Sequence, residues 1–344
     1  MNRPSALAAR VRIVYHGRDI SADLAPYLAR LEYIDRLDAE SDSLDLELAE
    51  HDGSASRWLA HWYPEHGLEI EAALGYTHTP WHTLGRFEVD SVQADAPPLR
   101  LRIRALAVGL SKALRTRANH AYEGLTLAAI VDQVAQRLGL QRRGDVAALA
   151  LDRVTQHQES DWSFLARLLH DYGYTLKLTD NNRVLAVARL RTLAQAEPLR
   201  LLRPSDLTAW SWSERAADVP QASEVSYHDP ASAELLTQRS DGAQVHDAAA
   251  PRAADRDRAV LRARSAAQAQ ARAQAMQERH EAERAQLELS LMGDARLCAG
   301  AAFDLAGLAR LDGRYVATQA RHTLDAGGYQ THLTLARWRA SGTP

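Results

Sequence analysis

Leu287-Glu-Leu-Ser-Leu291, Ala301-Ala-Phe-Asp-Leu305, Tyr315-Val-Ala-Thr-Gln-Ala320 and Thr331-His-Leu-Thr-Leu335 are four short segments in which apolar and polar residues mostly alternate. A period of two belongs to strands with one buried face. Gly293-Asp294, Gly307, Asp312-Gly313 and Gly327-Gly328 punctuate the segments as turns. Leu287 to Trp338 therefore reads as an antiparallel meander, and the N-terminal part of the chain carries the same pattern. Leu44-Asp-Leu-Glu-Leu48 stands beside Leu287–Leu291, Gly67–Gly75 beside Gly300–Gly307, Gly85-Arg-Phe-Glu-Val89 beside Gly313-Arg-Tyr-Val-Ala317, and Leu99-Arg-Leu-Arg-Ile103 beside Thr331–Leu335. The order and the turn residues agree, as an internal duplication requires. Two unrelated meanders would look similar, because strand and hairpin signals are generic.

Between the two β stretches the period changes. Leu127, Ile130, Val131, Val134 and Leu138 follow a helical spacing with Gly139 as a C-cap. Ser160 is a fitting N-cap for a second helix whose apolar face is Trp162, Phe164, Leu165, Leu168 and Leu169. Tyr174–Leu178 and Val184–Val187, around Asp180-Asn181-Asn182, read as a hairpin. Earlier strands are expected at Val11–Tyr15 and Tyr33–Asp38, and a short aromatic turn at Arg57–Pro64. Leu207–Glu214, Ser223–Tyr227 and Ala233–Thr237 are expected to open the second β unit. Asp241–Pro251 reads as a linker, and the Ala-, Arg-, Gln- and Glu-rich Pro251–Ala285 as a helix against a surface or a neighbour. Arg100, Arg102 and Arg104 share one strand face, which is either solvated or set against an acidic partner.

Composition bounds the rest. The 344 residues suffice for two or three domains, and 46% hydrophobic residues is ordinary for a folded chain. A net charge of -3 offers no basic field for nucleic acid or anionic membranes. One cysteine, Cys298, excludes an internal disulfide and reads as a buried thiol. Met1–Arg10 lacks the apolar core of a signal peptide, and no stretch has the roughly 20 apolar residues of a membrane span. A soluble chain made in a reducing cytoplasm is expected.

Catalytic patterns are weak. His280-Glu281 lacks the second histidine of a zincin, position 284 being Arg284. His61 with His66, or His78 with His82, have no further ligands to complete a shell. Phosphate-binding glycine loops and a nucleophile elbow are missing from the sequence. Glu159 and Asp161 flank a helix start, where carboxylates are stabilised by the partial positive charge. No catalytic, cofactor-binding or metal-binding residue is assigned, and no cofactor is expected.

Gln158-Glu-Ser-Asp-Trp-Ser-Phe-Leu-Ala-Arg-Leu-Leu-His-Asp-Tyr-Gly173 resembles a helix of the phage late-control D proteins, the baseplate hubs of contractile tails. The same helix occurs in the N-terminal part of type VI secretion spike proteins. Leu68–Gly75 with Gly85-Arg-Phe87, Tyr122–Gly139, Gly293-Asp294, Ala299-Gly300, Gly313-Arg-Tyr315, His322 and Gly328-Tyr329 with Thr331 resemble the family in the same order, over nearly the whole chain. The resemblance implies a β-rich α+β fold with two similar antiparallel β-barrel (tube-like) domains. A small α/β domain lies between them, and an Ala-rich helical insert interrupts the second barrel. The expected boundaries are 1–110 for the first barrel, 111–205 for the α/β domain, 206–240 with 285–344 for the second barrel, and 241–284 for the linker and helix.

It further implies a homotrimer without enzymatic activity, in which three chains present six barrels and adapt a sixfold tail tube to a threefold spike. Expected partners are a separate central spike protein, a tail tube or tube-initiator protein and other baseplate proteins, with no nucleic acid and no membrane insertion. The expected location is a virion or tail-like particle, assembled in the bacterial cytoplasm. The chain ends at Pro344 without a needle or a lysozyme-like domain, so the spike is expected to be separate. Two rival readings are a peptidoglycan hydrolase and a glycan-binding module built on the Leu125–Gly139 helix with Trp58, Trp62 and Trp81.

Overall fold

The computed structural model describes residues 8–37, 39–49, 64–97, 99–107, 116–214, 222–228, 235–240, 245–247, 256–260, 263 and 265–338. The aromatic stretch with Trp58 and Trp62, and most of the linker expected at Asp241–Pro251, lie outside these residues.

The first β unit comprises β1 (Ala9–Tyr15), β2 (Arg18–Asp19), the short helix α1 (Ser21–Leu24), β3 (Leu28–Arg36), β4 (Ser43–Ala49), β5 (Glu69–Tyr76), β6 (His82–Asp95) and β7 (Arg100–Ala107). Alternation governs the strand faces: Leu44, Leu46 and Leu48 are buried together with Leu101, Ile103 and Ala105. On the opposite face Arg100 and Arg102 pair with Glu47 and Asp95 at 3.2 to 3.8 Å. The acidic groups facing these two arginines are thus supplied by neighbouring strands of the same sheet.

A middle body follows, with β8 (Arg117–Thr126), α2 (Leu127–Arg137), β9 (Gln141–Arg143), β10 (Ala150–Ser160), α3 (Asp161–Asp171), β11 (Tyr174–Thr179), β12 (Val184–Arg189) and α4 (Leu190–Gln195). Thr126 caps α2 by accepting from Ala129 N, and Ser160 caps α3 by accepting from Ser163 N. The apolar stripes of both helices are buried in one core with Leu176, Leu185 and Val187. Asp180, Asn181 and Asn182 are all left-handed, with φ of 51, 55 and 63°, in the turn between β11 and β12. Short polar side chains tolerate that region best after glycine.

The last part holds β13 (Arg200–Leu202), β14 (Leu207–Glu214), β15 (Ala222–His228), β16 (Leu235–Ser240), β17 (Val245–Asp247), β18 (Arg256–Val260), α5 (Ala266–Arg284), β19 (Ala285–Met292), β20 (Ala302–Leu305), β21 (Gly313–Asp325) and β22 (Gly328–Trp338). Here the structure corrects two expectations: residues 256–260 of the helix expected at Pro251–Ala285 form β18, the helix itself being Ala266–Arg284, and two strands expected in the second β unit lie elsewhere. β15 and β16 do not pair within the second β unit. They form a four-stranded sheet with β17 and β18. Helix α5 covers this small sheet, and its alanines Ala269 and Ala273 pack on Val225 and Tyr227. The same helix reaches the middle body, where Arg272 pairs with Asp171 at 3.0 Å and Gln268 donates to Ala150 O at 2.9 Å. Gly173 (φ +76°) lets the two surfaces approach, since a Cβ there would lie 3.0 Å from Ala275 Cβ.

Pairing in the two β units follows one plan. β4 lies between β3 and β7 as β19 lies between β14 and β22. β6 pairs with β5 through its first half and β7 through its second, while β21 pairs with β20 and β22. Extra residues fall at matching places: Ala29 in β3 and Thr208 in β14, Asp90 in β6 and Thr318 in β21. Such bulges bend a strand and are specific features of a sheet. Gly85 and Gly313 have φ of 137 and 140°, and Gly67 and Gly300 have 83 and 87°. The duplication read from the sequence is therefore present in the backbone, with one shift. Ile103 matches Leu333 rather than Leu335, two residues away on the same face.

The architecture is β-rich and mostly antiparallel, with helices in the middle body and beside the small sheet. The two units are not separate barrels among the described residues. They share a 13-stranded sheet in the order β14-β19-β22-β21-β3-β4-β7-β6-β5-β1-β2, with β13 and β20 at its side. Neither unit closes, because the second half of β21 takes β3 of the first unit as its partner instead of β14 of its own.

Candidate assembly interface

The joint between the units is the antiparallel pairing of Gln319–Asp325 in β21 with Arg30–Arg36 in β3. His322 stands opposite Tyr33, with ring centroids 5.7 Å apart and planes 19° from parallel. His322 Nε2 lies 3.0 Å from Leu297 O, and a carbonyl only accepts, so Nε2 carries the proton. Nδ1 then accepts from the hydroxyls of Tyr329 (3.0 Å) and Thr331 (3.1 Å). Burial pushes the imidazole pKa down to about 4, which keeps it neutral in this network.

An ionic clamp fastens the same joint to the middle body. Asp35 on β3 is 2% exposed. Its carboxylate accepts from Lys177 Nζ of β11 and, at 2.9 Å, from Ala299 N. Lys177 also donates to Ala299 O at 3.3 Å. Asp42, in the turn after β3, accepts from Arg36 N at 3.0 Å. Burial and then the neighbouring Asp35 charge push the Asp42 pKa up to about 8. Burial opposes the Lys177 charge, but Asp35 and Asp42 outweigh it and raise its pKa. With Asp42 protonated, one ammonium faces one carboxylate. Cys298 lies beside the clamp, and burial pushes its thiol pKa up, away from reactive thiolate chemistry. Trp162 Nε1 donates to Ala39 O at 2.6 Å and Asn182 Nδ2 to Arg86 O at 2.8 Å, fixing the middle body on the first unit.

Two strand edges that match the halves of this joint have no such cover. Among the described residues no strand pairs with the outer side of β14, nor with the outer side of Ser91–Asp95 in β6. By the duplicated pairing Leu31 corresponds to Trp210, Tyr33 to Trp212 and Asp35 to Glu214. Leu31 is fully buried, whereas Trp210 is 49% exposed. β14 carries no lysine, proline or charge before Glu214, the devices that ordinarily protect an exposed edge.

The sequence singled out no site residue, and its weak candidates are engaged elsewhere. Glu159 pairs with Arg167, and Asp161 in the first turn of α3 with Arg137 at 2.8 Å. The Arg137 hydrogen bond holds the Asp161 carboxyl below its ordinary pKa. His66 Nδ1 lies 3.1 Å from Asp90 O, and burial lowers the pKa of His82. His61 lies outside the described residues. Among the described residues no group of three histidine, cysteine or acidic side chains is arranged to hold a metal ion. The helix expected to support glycan binding instead fills the middle core. Trp81 lines a groove of about 720 Å³ with Pro80, Met292 and Arg296, and Arg10 stacks on its ring at 4.5 Å. Among the described residues no helix is long and apolar enough to cross a membrane. The clamp was missed by sequence reading, for which Lys177 was one polar residue in an alternating hairpin.

A duplicated β unit joined to an α/β body was compared with known proteins. The family model described as phage tail baseplate hub (GPD) matches residues 83–328. The chain belongs to this family. A probable baseplate hub protein of Escherichia phage P2 is 28% identical over 171 residues, which is 49% of this chain and 43% of that protein. Its counterpart from Escherichia phage 186 is 25% identical over 197 residues, 57% of this chain and 49% of that one. The hub-family chain thus matches about half the length of these curated relatives. The fold is shared with the 43 kDa tail protein of prophage MuSo2 from Shewanella oneidensis, at a TM-score of 0.72 and 14% identity over 96% of this chain and 98% of the other. A tail protein from Neisseria meningitidis gives 0.70 and 13%, covering 96% and 97%. An E. coli component of the type VI secretion system gives 0.58 and 13%, covering 98% and 76%.

Proposed function

We propose that this chain is a structural hub of a contractile phage tail or tail-like bacteriocin baseplate. Three copies form a ring that adapts a sixfold tube to a threefold central spike. The observation that carries the reading is the β21·β3 joint. Each chain holds two copies of one β unit already joined edge to edge, so a ring of six units needs three chains. In this reading the barrel is closed collectively, by strands from all three chains. Its lining unit runs through the N-terminal 110 residues and resumes with β14 and β19–β22, with 111–205 as a body outside it and the small β15–β18 sheet and α5 beside it. The hub has no enzymatic role. Its partners are two further copies of itself, a separate spike, a tube or tube-initiator protein and other baseplate proteins. Its place is the virion or tail-like particle. Family membership and the type VI secretion fold likeness support the reading.

The test is the mass of the purified chain by light scattering, alone and with the spike protein encoded beside it. The expected result is a trimer in at least one condition. A strict monomer in both, with no spike binding, overturns the proposal.

A further inference from the structure

The intrachain joint contains the instructions for the joint between chains. β6 and β21 are equivalent strands, and the second half of β21 pairs with β3. β3 and β14 are equivalent too, by pairing and by bulge position. The second half of β6 and the outer edge of β14 are thus the two halves of the same joint, each lacking its mate among the described residues. We infer that β14 of one copy pairs antiparallel with Ser91–Asp95 of a second copy, in the register fixed by β21·β3. This rests on the ring reading above and goes beyond it in naming residues.

The register follows from matching positions. Ala320 opposite Asp35 becomes Val92 opposite Glu214. Arg321 opposite Ile34 becomes Gln93 opposite Ser213, and His322 opposite Tyr33 becomes Ala94 opposite Trp212. Thr323 opposite Glu32 becomes Asp95 opposite Ser211, and Trp210 falls opposite Ala96, just past β6. Side-chain sizes agree with this register. Within the chain two rings of moderate size, His322 and Tyr33, stack against each other. Between chains the larger Trp212 and Trp210 meet the small Ala94 and Ala96, so the space across the joint stays filled. Trp210 leaves solvent in the process, as Leu31 has at the intrachain joint. The partner of the edge is a second copy of this chain, because this chain itself carries the matching half.

The test uses the full chain with Gln93→Cys and Ser213→Cys together, both positions being exposed here. Light scattering gives the assembly state, and mild oxidation followed by a denaturing gel reads the crosslink. The expected result is a trimer that oxidises to covalent dimer and trimer species. Either single variant gives none, and the pair Asp95→Cys with Ser213→Cys, two residues out of register, crosslinks at least ten-fold less. A trimer that crosslinks out of register, or not at all at 93 and 213, overturns the register and leaves the ring reading standing. Absence of a trimer for the unmodified chain, with and without spike, removes the ring reading and this inference with it.

Discussion

β3 and β14 are the same strand in two copies of one repeat, and they live in opposite surroundings. β3 has neighbours on both edges, and its Leu31, Tyr33 and Asp35 are buried. Among the described residues β14 has β19 on one edge only, and Trp210 stands half in solvent. Asp35 meets a lysine inside the protein, whereas Glu214, at the matching place, meets Arg284 at 3.3 Å near the surface. The difference lies in what each strand has been given to pair with, and an unpaired edge of this length is unfinished structure.

The comparison breaks most visibly at the clamp. Lys177→Met leaves a buried carboxylate without its cation, and unfolding by urea should register a loss of about 3–5 kcal/mol. A variant as stable as the parent would remove the clamp from the account. Leu31→Ala should cost roughly 2–5 kcal/mol, the range for emptying a packed leucine site. Trp210→Ala, its counterpart, should change the stability of the isolated chain by less than ~0.5 kcal/mol while weakening self-association.

A pH titration sharpens the same contrast. Asp42 keeps its proton to about pH 8 in the folded chain, while an unfolded aspartate loses it near 3.9. Between those values the folded state binds more protons, so stability falls as pH rises, by at most about 1.4 kcal/mol per pH unit from this group. Asp42→Asn should flatten that slope, and an unchanged pH profile of the denaturation midpoint would contradict the assignment. A similarly small effect on stability belongs to Arg284→Ala, where a surface pair contributes about 0–1 kcal/mol. A loss as large as that of Lys177→Met would mean that β14 is not the exposed counterpart described here.

Much of this was legible in the chain. Leu44–Leu48 and Leu287–Leu291 alternate strictly, so both strands could be read directly. Ser160 and the apolar stripe after it fixed a helix for local reasons. Long-range pairing was not legible. Nothing near β21 says that its second half leaves its own unit for a strand almost three hundred residues earlier in the chain. Leu31 and Trp210, or Ile34 and Ser213, share a position but little chemistry, so β3 and β14 carry no common sequence pattern. β15 and β16 look like further members of the meander, yet they pair with β17 and β18 and pack under α5. Lys177 alternates like a solvated residue. It is buried because another body packs over that face of its hairpin, which no local pattern encodes.

The joint inside the chain also changes the mass action of any ring built from such units. If each unit were a separate molecule, every contact would have to form by collision between free partners. Covalent linkage makes half of the contacts intramolecular, at an effective concentration set by the connecting chain rather than by dilution. Fewer bodies then have to meet, and the ring closes at lower protein levels than six independent units would need.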